Sequence, residues 1–443
     1  MGKLQFHFEW ESPQGARGPE LRATWARLRI AADGEVITRV EDLAARSVRD
    51  SIYGPLYPIA EWIATNWWSL LNEVDSPSRE FTAGYHQRHN LSAASEGFAL
   101  PYLSIKPDGS RASLQWRSRL LSTKRVHFLA EGGAVIGIHE LEDCFRELLT
   151  AVTTRLRDEG VENTFLAEEW QAIGSADVEE RNFCQAMGRL GLDPYSEEQG
   201  IAQTVIHLAS GLPASVVDEF FTTADPFRLN SQGGQLEHFF NESNKLDLDI
   251  DVLRNLKTKM TLVSSPFQQA APWNQGYALA RELRSLLNGS SQPSISTVND
   301  LGSQLGVEQG LWEQAISTTN GMGEFLNAAV GPTRNESPYF AIAPSRVESG
   351  RVFLLCRALC EYLTTSESAA SIVTDTYSER QKRNRAFAAE FLAPAEQLQK
   401  SISRDFVTET EIMALAADFG TSDHVIRHQI ENHHLAKVSG NAI

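Results

Sequence analysis

The chain has 443 residues, 42% apolar and 22% charged, which is ordinary for a globular protein and long enough for more than one core. Its 57 acidic residues against 40 Lys and Arg give a net charge of −17, which disfavours broad, non-specific binding to nucleic acid. No apolar run approaches the roughly 20 residues that span a bilayer, and MGKLQFHFEWESPQ has no apolar signal core. The expectation is therefore a cytoplasmic protein with no membrane partner.

Residues 1–135 read mainly as antiparallel strands. TWARLRIAADGEVITRV carries two alternating runs around Asp33-Gly34, and PYLSIKPDGSRASLQW bends at Pro107-Asp108-Gly109. Between them, YPIAEWIATNWWSLLNE predicts one helix packed on the sheet. Ile59, Trp62, Ile63, Trp67 and Leu70 recur at helical spacing after Pro58. The tryptophans read as packing rather than as a binding cage.

Residues 136–270 read as a helical domain. HELEDCFRELLTAVTTRLRDEG is amphipathic and stops at Gly160, and two more helices break at GLDP and SGLP. His139-Glu140 opens a near-miss to a zincin motif, with Asp143 where a second His is required. Asp247, Asp249 and Asp251 have the odd-position spacing of a calcium loop, but Val252 and Thr258 replace its Gly and Glu. The cysteines, Cys144, Cys184, Cys356 and Cys360, form no C-x-x-C pair and read as reduced core residues.

From about Pro272 the chain resembles a family. PWNQGYALARELRSLLN, then STVNDLGSQLGV, then PYFAIAPSRVESGRVFLLCRALCEYL are similar to the opening helices, strand and active-site helix of ImmA/IrrE-type zinc peptidases. RNRAFAAEFLAPAEQL reproduces the family's FAAE-leucine-x-proline run, and LAADFGTSDHVIRHQIENHHL is similar to its closing piece. Active members carry H-E-x-x-H, two zinc ligands one turn apart with a Glu as general base. The corresponding positions here hold Arg357, Ala358 and Glu361, and Gln381 or Arg383 stands where the third ligand is expected. A guanidinium cannot ligate zinc and Ala358 cannot accept a proton. The resemblance therefore implies a degenerate site with no cofactor. Arg357 and Glu361, at i and i+4, either pair along the helix or point apart. If a metal were bound after all, Cys356, Cys360, Glu361 and Glu379 are the donors at hand, and zinc the metal.

Residues 408–436 have helix-turn-helix spacing, with Ala416, Gly420 and Ile426 at the crossing. Thr408 to Glu411 forms a capping box before the first helix, and Ser422 or Asp423 caps the second. Arg427, His428, Gln429 and Asn432 are the candidates for contact with DNA or a partner. His424 and His428 share a helical face, with His433 and His434 nearby, but no third metal ligand is apparent. The charge balance favours a structural unit over a DNA reader.

The expected fold is α+β and multidomain. It has a β-rich domain at 1–135, helices at 136–270, and a zincin-like ImmA/IrrE-type domain at 271–443 ending in the helix-turn-helix-like piece. The expected function is that of an inactive regulatory or scaffold protein working through protein contacts. Toxin–antitoxin, mobile-element or phage-defence systems are the settings that the resemblance implies. A sequence-specific DNA regulator and a zinc endopeptidase with atypical ligands are the alternatives.

Overall fold

A computed structural model describes residues 2–13, 16–76, 82–195, 199–264, 270–287, 294–318, 325–345, 347–365 and 370–438. The fold is mixed α+β, with many helices and several small sheets. Contacts divide the chain into two compact units, residues 1–206 and 207–443.

In the first unit, β1 (Leu4–Trp10) pairs antiparallel with β2 (Trp25–Ala32), which also pairs with β3 (Glu35–Val36) and β4 (Ile52–Pro55). The β2–β3 turn is made by Asp33 and Gly34 at φ 48° and 84°, the left-handed pair that such a hairpin requires. A second sheet joins β5 (Tyr102–Pro107), β6 (Arg111–Arg117) and β7 (Gly132–Gly137), with the expected bend at 107–109.

The segment expected as one helix is two, α1 (Tyr57–Thr65) and α2 (Trp67–Asn72). Asn66 departs from helical geometry and returns its side-chain amide to the Trp62 carbonyl at 2.8 Å, which closes α1 and lets α2 set off again. Trp67 and Trp68 are buried, as packing demands.

The amphipathic helix α3 (Ile138–Asp158) buries Leu141, Phe145, Leu148, Leu149, Val152 and Leu156 in the same core as the sheets. This is why the boundary expected near 135 is absent. An apolar stripe of that width has to be covered, and the strands beside it in sequence cover it.

The second unit takes in the expected helical domain from residue 207 onward. Ser215 and Thr223, both on α4 (Ala214–Thr223), donate to the carbonyls of Ala370 and Phe325 at 2.7 and 3.1 Å. The Ser337 hydroxyl accepts from Ile250 N–H at 2.8 Å. The boundary expected at 270 is therefore crossed by many side chains. The aspartates of the calcium-like stretch are spent on protein partners: Asp249 and Asp251 pair with Arg254, and Asp247 accepts from the Asn335 amide.

The sheet of this unit runs β8 (Ile316–Thr318), β10 (Pro338–Ile342), β9 (Ala328–Pro332), β11 (Ser371–Val373). Within this four-stranded sheet only the β8–β10 pair is parallel. Its core is shared with α5 (Pro272–Leu286), α6 (Glu348–Thr364) and α7 (Glu379–Leu392). Two further helices follow, α8 (Glu409–Phe419) and α9 (Asp423–Asn432). The Thr408–Glu411 capping box is formed, Gly420 turns at φ 67°, and Ser422 caps α9 by accepting from Val425 N–H.

Candidate functional site

The positions singled out on α6 and α7 come together in the interior. α6 is apolar around most of its girth, burying Leu355, Cys356, Ala358, Leu359, Cys360 and Tyr362, so Arg357 and Glu361 are carried inside with them. α7 starts at Ser378, whose hydroxyl accepts from Gln381 N–H, and its buried face presents Gln381 and Asn384 toward α6.

Arg357 is 3% exposed and hydrogen-bonds only neutral acceptors. Its Nε donates to Asn384 Oδ1 at 2.8 Å, and its Nη2 donates to Gln381 Oε1 at 2.8 Å and to the Thr374 carbonyl at 2.6 Å. Burial, then Arg385 nearby, pulls this guanidinium down to about 9, still protonated at neutral pH.

Glu361 is fully buried. It does not receive Arg357, so the intrahelical pair is not made. Its Oε2 accepts from Arg380 Nη2 and Nε at 2.6 and 3.1 Å, and its Oε1 accepts from Asn384 Nδ2 at 3.2 Å and from Arg383 Nη2 at 3.4 Å. Burial opposes the charged form, but Arg380 and then Arg383 outweigh it and hold the carboxyl below its usual range.

A second carboxylate that sequence reasoning missed lies in the same unit. Glu219 of α4 accepts from the hydroxyls of Thr374, Thr376 and Ser378 at 2.9–3.1 Å. The alternating hydroxyls of TDTYS were a readable signal for a bound carboxylate; Glu219, more than 150 residues upstream, carried none. Arg380, Asn384 and Arg385 also escaped attention. Arg385 donates to the Thr376 carbonyl at 2.8 Å and lies over the Tyr377 ring.

These residues do not fit zinc. Arg357 puts a cation at one of the ligand positions that the resemblance implies, and the Gln381 oxygen is engaged by Arg357 and by Thr374 N–H. Cys360 is buried beside Arg383, its thiol pushed up to about 12 by burial, and Cys356 is raised in the same way. Among the described residues no group of three or more His, Cys, Asp or Glu is placed to hold a metal ion.

The FAAE run has a structural use. Phe387, Ala388 and Phe391 are buried, and Glu390 accepts from Arg281 of α5 at 2.8 Å and from Gln429 of α9 at 2.9 Å. This corrects the assignment of Gln429 as a contact residue. It lies on the α9 face of Val425, Ile426 and Ile430, and its amide is used inside, also reaching the Ala393 carbonyl at 2.8 Å. Arg427 pairs with Glu409. His428 is exposed, its Nε2 3.1 Å from that of His424, and Asn432 is exposed near Tyr277. The chain matches no protein-family model, no curated protein and no solved structure.

Proposed function

We propose that this chain is a catalytically inactive regulatory or scaffold protein with an ImmA/IrrE-like carboxy-terminal domain, acting through contacts with a protein partner. The observation that carries the reading is the Arg357–Gln381–Asn384–Glu361 network. The positions of two ligands and a base are occupied by side chains that satisfy one another, with Ala358 packed among apolar neighbours. A site under selection for hydrolysis keeps an open coordination position and a base within reach of water. This interior offers neither, whereas it holds α6 and α7 together as a binding platform requires. Metal analysis of the purified protein tests the reading. Zinc well below one atom per chain is expected. One zinc per chain, lost to a chelator together with cleavage of a partner, would overturn it.

A further inference from the structure

The edge strand β1 is unusual in what surrounds it. Asp33 N–H donates to Lys3 O and Glu11 N–H to Trp25 O at the two ends of the pair, so Gln5, His7 and Glu9 are the β1 positions bonded to β2. The main-chain groups of Leu4, Phe6, Phe8 and Trp10 are left directed off the outer edge, which pairs with no strand among the described residues. Phe6 N–H is met by the thiol of Cys144 on α3, a weak acceptor. These seven residues have no Pro, no Lys and no bulge, and what guards the edge is α3, which meets it at Phe6.

Two cavities that share Glu147 lie between that edge and α3. One, of about 270 Å³, is bounded by Leu4–Phe8 with Cys144, Glu147 and Leu148. The other is wider, about 890 Å³, and is bounded by Trp10 and by α3 from Asp143 to Asp158. The floor is aromatic, with Phe8 and Trp10 in contact at 5.0 Å between centroids.

The charges along the wall are unequal in availability. Arg146 is bound to Glu142 and lies over Trp67 and Trp170. Arg155 is bound to Glu159 and the Ala23 carbonyl and lies over Trp10. Asp143, Glu147 and Asp158 make no hydrogen bond or ion pair with the described residues, so the wall presents uncompensated negative charge.

We propose that these two cavities together bind a basic, extended peptide segment of a partner protein, added antiparallel or parallel to β1 as a further strand. Main-chain bonds at Leu4, Phe8 and Trp10, the outward positions that Cys144 does not meet, would supply affinity, and Lys or Arg facing Asp143, Glu147 and Asp158 would supply selection. The inference rests on the first unit alone. It gives the partner contact of the proposed function a location, and it can fail while the metal analysis stands, or the reverse.

The probe is a fluorescent peptide alternating Lys with Val, as long as β1, titrated into the full chain. Saturable binding is expected, lost when Glu replaces each Lys. It should weaken about tenfold in Asp143→Lys/Glu147→Lys, the sum of two exposed charge pairs. Both positions are exposed, and circular dichroism checks that the variant is folded. Methylating one alternating set of peptide amides should abolish binding while methylating the other is tolerated, because an added strand presents only one set to β1. No binding, unchanged affinity in the variant, or equal effects of the two methylated peptides would overturn the proposal. So would sedimentation showing that β1 pairs two copies of this chain instead.

Discussion

The Nε–H of Arg357 donates to Asn384 Oδ1 at 2.8 Å, and the same amide's Nδ2 donates to Glu361 Oε1 at 3.2 Å. One side chain thus joins the buried cation to the buried anion that α6 carries one turn apart. Asn384→Leu keeps the volume and removes both bonds, leaving each charged group short of a partner in the interior. Its expected cost is about 2–4 kcal/mol of unfolding free energy. Urea denaturation measures it, and a loss below about 0.5 kcal/mol would show that the two charges do not depend on the amide.

Gln381, not Arg383, is the residue to convert if a zinc site is rebuilt. Its Oε1 lies 2.8 Å from Arg357 Nη2, whereas Arg383 reaches only Glu361 and Thr364, at 3.4 and 3.2 Å. Arg357→His/Glu361→His/Gln381→Glu should therefore gain a zinc-dependent rise in Tm, with about 3 kcal/mol expected at a hundredfold excess over Kd. The same variant with Arg383→Glu in place of Gln381→Glu should gain much less. Equal responses, or a zinc response in the unaltered chain, would refute the geometry.

The elements that set this interior were readable where local chemistry decides: the Asp33-Gly34 hairpin, the Thr408–Glu411 box, the Gly420 turn and the apolar girth of α6. What could not be read depends on tertiary partners. Gln429 has a polar side chain on a helix full of exposed polar residues, and only the arrival of Glu390 makes it an interior residue. The domain boundaries failed for a related reason. The stripe on α3 announces burial but not which strands provide it.

Glu73 is buried and held by Arg88 at 2.5 and 2.8 Å and by His89 Nε2 at 3.1 Å. Burial raises its affinity for a proton, but the bonds to His89 and Arg88 outweigh that and bring it down to about 2, against an ordinary 4.5. A carboxyl lowered by folding stabilises above its unfolded pKa, and the stabilisation fades as pH falls from about 4.5 toward 2. The difference corresponds to a few kcal/mol. Glu73→Gln should lower stability at pH 7 and flatten the acid limb of a stability–pH profile. Parallel profiles for the two proteins would contradict this role.

Gly276 lies where α5 crosses α7 closely. A Cβ there would stand 2.3 Å from the Arg383 carbonyl oxygen and 2.8 Å from Phe387 N, both backbone atoms that cannot turn aside. Gly276→Ala gains helix propensity of about 1 kcal/mol. It nevertheless forces the helices apart, and a net loss of about 1–3 kcal/mol is expected. Stabilisation on thermal denaturation would show that the crossing yields easily.

The last two helices offer a test that separates packing from contact. Gln429→Ala removes the donor shared by Glu390 and the Ala393 carbonyl, leaving Glu390 to Arg281, the Ala395 N–H and His433. A loss of about 1–3 kcal/mol is expected. Arg427→Ala breaks a solvent-screened ion pair with Glu409 and should leave stability nearly unchanged. If these helices only pack, the Gln429 change lowers Tm and the Arg427 change leaves it nearly unmoved, with neither protein gaining or losing DNA retention at low salt. If Arg427→Ala abolishes DNA binding while Tm is unchanged, α9 reads DNA with the residues that remain exposed, and the acidity of the chain as a whole has been overcome locally.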